Sequence, residues 1–516
     1  MRSVEIVLAL VVLATVVAAF AGRLRVPAPS LLVVAGVVAG LLPGVPDIRV
    51  SPEVVSLVVL PPLLFAAGEE LPWRDLRAVW RPVGVLAFGL VAASAAAVAV
   101  VANAITPLPL GMAFVLGAVL ASTDPVAVTA LGRRLSLPPR VQALVQAESL
   151  FNDATSLLLF RIALSVGLAA GAVDWGHTAA DFGILVGGGL LVAALVAGGA
   201  YLVRRHTEDP VLETVISLVT PYAAYVLAEA IGGSGVTAVV VTSVILGTQA
   251  TKVTSSRIRI QLGAVYGTVV FLLESVVFGL IGLELPELVR ALTTTTMWPL
   301  EALLIAVTLL VVRLLWVFPL SAALQRRSGR SATWQVPTVV SWAGARGVVP
   351  LAAALSIPLT APAEYRELVL LLTTAVIVVT LVVQGFTLAP LVRRTGVALT
   401  TEHVQQERST ARLRLTQAGL DHLDSLTENE AAPEFLLDQL RDTWKARMQR
   451  IAEDEPDEMT NLTTADSYRR LRRELLAVEA DELERLFQTG EITDHTRRRI
   501  QRMLDLEHTV LGDDEH

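Results

Sequence analysis

The chain has 516 residues, 53% of them hydrophobic and 17% charged, with a mean hydropathy of +0.61. Soluble domains carry about 25% charged residues, so this composition argues for a protein built into a membrane. The absence of cysteine excludes disulfides, thiol catalysis and Cys-based metal sites. Charge is unevenly placed. Residues 1–400 hold 25 Lys/Arg against 21 Asp/Glu, whereas residues 401–516 hold 16 against 27.

The first stretch, Met1 to Gly22, has the look of a signal peptide with Ala19-Phe20-Ala21 at its cleavage site. It reads better as a first spanning helix, because cleavage would leave Arg23 and Arg25 on the outer face. Gly, Pro and charge divide residues 1–395 into thirteen apolar segments: 3–21, 28–44, 53–68, 82–103, 110–131, 141–170, 181–203, 211–231, 235–250, 262–285, 297–323, 335–357 and 366–392. One set of connecting loops carries sixteen Lys/Arg, among them Arg74, Arg77, Arg81, Arg204, Arg205 and Arg259. The alternate set carries three: Arg49, Arg290 and Arg366. Basic loops face the cytoplasm, which puts the N-terminus outside and starts a cytoplasmic tail at Arg393-Arg394.

Three clusters interrupt these apolar runs. In the fifth segment, Ser122-Thr123-Asp124-Pro125 should break the helix near Ala121, because proline has no N–H and clashes with the preceding turn. The freed carbonyls, the Thr123 hydroxyl and Asp124 are hard oxygen ligands suited to Na+. The sixth segment holds Glu148-Ser149-Leu150-Phe151-Asn152-Asp153, with Asp153 roughly 20 Å along the helix and near the centre of a bilayer core of about 30 Å. A charge at that depth costs about 2.5–3.5 kcal/mol on insertion scales. Ser149 and Asp153, four apart, share one helix face, while Glu148 and Asp153 differ by about 140°. The two acids therefore have separate tasks.

The twelfth segment carries Gly344-Ala345-Arg346-Gly347-Val348-Val349-Pro350, a second interrupted helix with a buried cation. It lies seven segments after the fifth, so the two run in opposite directions, as in an inverted repeat with its site at the midplane. Arg346 requires a carboxylate; Glu148 is the first candidate and Asp124 its rival. Glu274, Arg161 and Arg313 read more readily as packing partners than as transport residues, and Glu229 lies near the outer end of its helix. From about Thr400 the texture is helical and charged, with apolar residues at Leu413/Leu420/Leu423, Leu436/Leu440/Trp444/Met448/Ile451 and Leu471/Leu475/Val478. Pro433, Pro456 and Gly490 suggest breaks between three or four helices. The expectation is therefore an all-α polytopic membrane domain (1–395) and a soluble helical tail with a regulatory role (396–516).

Taken in order, the three clusters resemble the sodium/proton exchangers of the monovalent cation:proton antiporter family, electroneutral branch. Leu60-Pro61-Pro62-Leu63-Leu64-Phe65, Phe271-Leu272-Leu273-Glu274 and Gln384-Gly385 add supporting similarity. The resemblance implies about thirteen helices, a homodimer, and a monovalent cation and protons as substrates, with no cofactor, no enzymatic activity and no nucleic-acid partner. It implies that Asp153 is the shared ion and proton carboxylate, that Ser149 and Thr123 lend oxygens to Na+, and that Asp124 lies beside it. Glu148 and Arg346 would match the family's structural ion pair, and Asn152 the residue steadying the crossing helices. Asn152-Asp153 looks like the one-for-one exchangers, whereas two adjacent aspartates mark electrogenic relatives. One departure stands out: many relatives carry an acid just after Phe65, where this chain has Ala66-Ala67 and, further on, Glu69 and Glu70. K+ or Li+ would suit the same oxygen ligands. A cation channel or a sensor working through the tail are the rival classes. An enzyme would need a nucleophile–base or metal cluster, and outside the tail the histidines are only His177 and His206.

Overall fold

The computed structural model describes residues 11–17, 19–20, 27–42, 55–71, 73–124, 137–168, 175–207, 209–253, 256–291, 297–327, 333–358, 361–428, 434–453 and scattered positions from 475 to 504. Pro125, Arg23, Arg25, Arg49 and the tail breaks at Pro433, Pro456 and Gly490 lie outside the described residues. Contacts divide the chain into two compact units, Met1–Leu399 and Thr400–His516.

In the first unit every one of the thirteen apolar segments contains helix, and no strand occurs among the described residues. The helical residues 11–17 and 19–20 form α1. They are followed by α2 (Ala28–Gly40) and α3 (Leu60–Glu69). Next come α4 (Trp73–Ile105), α5 (Leu110–Leu120), α6 (Pro139–Leu168), α7 (Trp175–Arg205), α8 (Pro210–Ala230) and α9 (Gly235–Val253). The set ends with α10 (Ser256–Ala291), α11 (Trp298–Arg327), two half-helices α12a (Gln335–Trp342) and α12b (Val348–Leu355), and α13 (Ala363–Thr395). Six of these helices, such as α8 and α13, are long and apolar enough to cross a bilayer by themselves.

One boundary differs from the sequence reading. Arg74, Arg77 and Arg81 lie on the first turns of α4 rather than in a loop. The reason is local: Leu76, Val79 and Val83 recur at helical spacing and are buried, so the charged opposite face is carried as helix.

Packing is closest where side chains vanish. A Cβ on Gly36 of α2 would lie 2.4 Å from the Gly279 carbonyl of α10, and one on Gly282 would lie 2.3 Å from the Val33 carbonyl. Helices in lipid gain from this backbone approach, since burial of apolar surface gives them no drive to associate. The outward faces are apolar, as with Leu195, Leu202 and Leu315. By contrast, all eight residues of α12b are buried, as are Ser122, Thr123, Ala343, Ala345 and Arg346 beside the breaks. Irregular backbone at membrane depth survives only inside protein or against a water-filled cavity.

The second unit contains an antiparallel pair, α14 (Thr401–Glu428) and α15 (Glu434–Glu453). Leu420 and Leu423 pack with Leu437, Trp444 and Met448, and Arg441 reaches Asp424 at 3.1 Å. Trp444 and Met448 turn inward as read in the sequence, whereas in the first turns Leu437 takes the inner position and Leu436 and Leu440 are exposed.

Candidate functional site

α5 ends at Leu120 with Ala121 as its cap, and residues 122–124 run on without helical bonding; α12a ends at Trp342 and α12b begins at Val348. The two breaks meet. The Asp124 N–H donates to the Ala345 carbonyl at 2.7 Å. A Cβ on Gly347 would lie 1.5 Å from Asp124 Oδ2, so glycine is what allows the Asp124 side chain to lie across the second break.

A broken helix leaves unsatisfied carbonyls and a partial negative charge at its C-terminal end. Here each such end receives an arginine. Arg346 Nη1 donates to Ser122 O at 2.6 Å and Ala121 O at 3.3 Å, closing the end of α5. Arg313, from α11, donates to Val340 O at the end of α12a, at 3.2 Å from Nε and 3.1 Å from Nη2. Both side chains are almost fully buried.

The ion pair expected between Glu148 and Arg346 is not formed. Arg313 takes both oxygens of Glu148, at 2.5 Å from Nη1 and 2.9 Å from Nη2. The two oxygens of a carboxylate match one guanidinium edge, and α11 delivers that edge from the side of α6 where Glu148 points. Arg346 is held instead by backbone carbonyls, with its own N–H donating to Thr380 Oγ1 at 3.2 Å. Arg313 was open to notice in the sequence, as an arginine inside a long apolar run; only its partner was hidden.

Asn152 ties α6 to the break in α5. Its Nδ2 donates to Thr123 Oγ1 at 2.7 Å, and its Oδ1 accepts from the Thr123 N–H at 3.3 Å. Thr123 Oγ1 also lies 3.2 Å from Ser149 Oγ. Ser156, a turn beyond, closes the Ala118 carbonyl at 2.7 Å. One wall of α6 thus holds the fifth helix at its fracture, while Asp153 remains beside it, 7% exposed. The charges that act on Asp153 are Asp124, of like sign, and Arg346, of opposite sign.

Thr123, Asp124, Ser149 and Asp153 all line one cavity of about 720 Å³. It extends past Ala66 and Ala67 to Glu69, Glu70, Arg204 and Arg259, and Glu274 lines it too. Arg204 is anchored between Glu213 at 3.2 Å and Glu69 at 3.5 Å. Glu148 and Arg346 do not line this space. The structure therefore brings together four of the seven residues singled out in the sequence, and sets Glu148, Asn152 and Arg346 behind them as support.

A multi-pass helical bundle with a buried carboxylate on a cavity, where the end of α5 meets the break in α12, fits a secondary ion transporter. The chain belongs to the transmembrane sodium/hydrogen exchanger family, whose model matches residues 8–394. It is 32% identical to an uncharacterised Na(+)/H(+) exchanger of Mycobacterium tuberculosis over 98% of this chain and 96% of the relative. It is 33% identical to the low-affinity Na(+)/H(+) antiporter NhaS1 of Synechocystis over 70% of this chain and 68% of the relative. The sodium proton antiporter MjNhaP1 of Methanocaldococcus jannaschii shares the fold, with a TM-score of 0.62 at 19% identity, over 77% of this chain and 99% of that one.

Proposed function

We propose that this protein exchanges Na+ for H+, one for one, by alternating access, with Asp153 as the carboxylate that both cations use. The observation that carries the reading is the shared cavity: Asp153 lies beside the Thr123, Ser149 and Asp124 oxygens and is reachable by water. When Asp153 releases a proton to the cavity, its carboxylate gains a negative charge that Na+ can neutralise, with oxygens from Thr123, Ser149 and Asp124 completing the shell. The protonated and Na+-bound forms carry the same charge. The empty carboxylate differs by one unit, and moving it through the membrane interior is disfavoured by several kcal/mol, roughly the cost of a charge at bilayer depth. That penalty couples the two fluxes.

The cavity reaches Arg204 and Arg259, which belong to the arginine-rich loop set, so this conformation is open to the cytoplasm, with the N-terminus outside and the tail inside. Residues 1–395 form the transport domain, with the two breaks at related positions of inverted repeats. Residues 396–516 form a regulatory tail, and the protein works as a homodimer in the cell membrane. These points rest on the charge bias and on the family resemblance.

The test is Na+-dependent collapse of an imposed pH gradient in liposomes, comparing the wild type with Asp153→Ala. Loss of exchange in the variant is expected, and undiminished exchange would sink the assignment. Independence of the rate from a clamped membrane potential checks the one-for-one stoichiometry, and parallel runs with K+ and Li+ set the selectivity.

A further inference from the structure

The cavity wall formed by α3 has alanines, Ala66 and Ala67, where an acid would be useful to a passing cation. An acid does line the same cavity, on a different helix. Glu274 is the only charged residue of α10 between Arg259 and Glu284, which places it about 22 Å from the former and 15 Å from the latter along the axis. It lines the same cavity as Asp153 and is partly exposed to it. Among the described residues it has no hydrogen-bond or ion-pair partner, unlike Glu69, Glu148, Glu213 and Glu229, each of which meets an arginine. The charged groups that act on it are Asp124 and Glu70, both acidic. A buried carboxylate without a partner, whose nearest acting charges are other carboxylates, calls for a proton or a cation to neutralise it.

We infer that Glu274 is a second carboxylate for the transported cation, lining the same cavity as Asp153, and that it governs how readily Na+ reaches and stays at the site. It is a specificity-determining residue, and Asp153 remains the group on which exchange depends. The α10 acid does for this chain what an acid on α3 would do, from another helix of the cavity lining. This inference rests on the Na+/H+ reading above.

The experiment is initial-rate exchange in proteoliposomes across a Na+ series, for wild type, Glu274→Gln, Glu274→Asp, and Glu274→Gln combined with Ala67→Glu. Glu274→Gln should raise the KM for Na+ about tenfold, the scale of one lost charge-assisted ligand, and leave kcat within about twofold. Glu274→Asp should fall between, and returning an acid to α3 in the double variant should recover most of the affinity. An unchanged KM in Glu274→Gln overturns the inference while leaving the exchange function intact. Absence of Na+-driven exchange in the wild type would overturn the function instead. A reading independent of folding comes from the wild type alone: a hydrophobic carbodiimide should modify Glu274, and Na+ should protect it. Modification indifferent to Na+ would also overturn the inference.

Discussion

At the break in α12, Arg313 spans the Val340 carbonyl and both oxygens of Glu148. Every charge there is met within hydrogen-bonding distance, and no space is left for water or an ion. At the break in α5, Arg346 reaches only carbonyl oxygens with its side chain. Its Nε has no hydrogen-bond partner among the described residues. Two carboxylates act on it through space: Glu148, already held by Arg313, and Asp153, which stays on the cavity. The same device, an arginine on a broken helix end, is thus closed in one place and open in the other. A closed pair fixes structure. An arginine satisfied by backbone leaves the nearby acid free to trade one cation for another, while still offsetting its charge.

The sharpest way to break the comparison is to remove one charge from each region. Asp153→Asn keeps the shape and should reduce exchange to the level of empty liposomes while leaving the melting temperature in detergent undiminished. At the other break, Arg313→Leu strands a buried Glu148 and should cost about 3–5 kcal/mol, seen as lost monodisperse protein on size exclusion. The paired change Arg313→Leu with Glu148→Leu should be far milder, because no charge is left unmatched. If Asp153→Asn destabilised the fold and Arg313→Leu merely slowed exchange, the two regions would have been assigned the wrong way round.

Gly347 tests the contact between the breaks. With Asp124 Oδ2 1.5 Å from the position of a Cβ, Gly347→Ala must displace either the carboxylate or the backbone. Overpacking of this kind costs about 1–3 kcal/mol, and exchange should fall with it because Asp124 leaves the cavity wall. Gly84→Ala, where a Cβ meets nothing within 4 Å, is the control and should leave both melting and exchange unchanged.

How much of this was readable from the chain varies with the kind of interaction. The membrane class, the end of α5 near Ala121 and the fracture in α12 were legible, because proline, glycine and charge inside apolar runs have local consequences. The cluster at 148–153 was legible because an acid at bilayer depth is expensive wherever it points. The partner of Glu148 was not. Arg313 and Arg346 are equivalent cations in one dimension, and the choice between them depends on which face of α11 meets α6. Nor does a sequence show carbonyl oxygens, so the solution that holds Arg346 was invisible. Glu274 was visible as a lone acid but not as a wall of the cavity, since four other helices also build that wall.

The smallest predicted effect separates ion ligand from helix support. Ser149 Oγ lies 3.2 Å from Thr123 Oγ1, and Thr123 is also held twice by Asn152. Ser149→Ala therefore removes one cavity oxygen and leaves the fracture of α5 still tied to α6. A single neutral hydrogen-bonding group is worth about 0.5–1.5 kcal/mol, so the KM for Na+ should rise about threefold with little change in melting temperature. The effect should also persist across pH. Protons compete with Na+ at Asp153 in wild type and variant alike, because a ligand must be deprotonated to bind the metal. Both KM values should therefore climb in parallel as pH falls. Curves that converge at low pH would place Ser149 on the proton rather than on the cation, and melting that drops with KM would make it a support of the crossing, like Asn152.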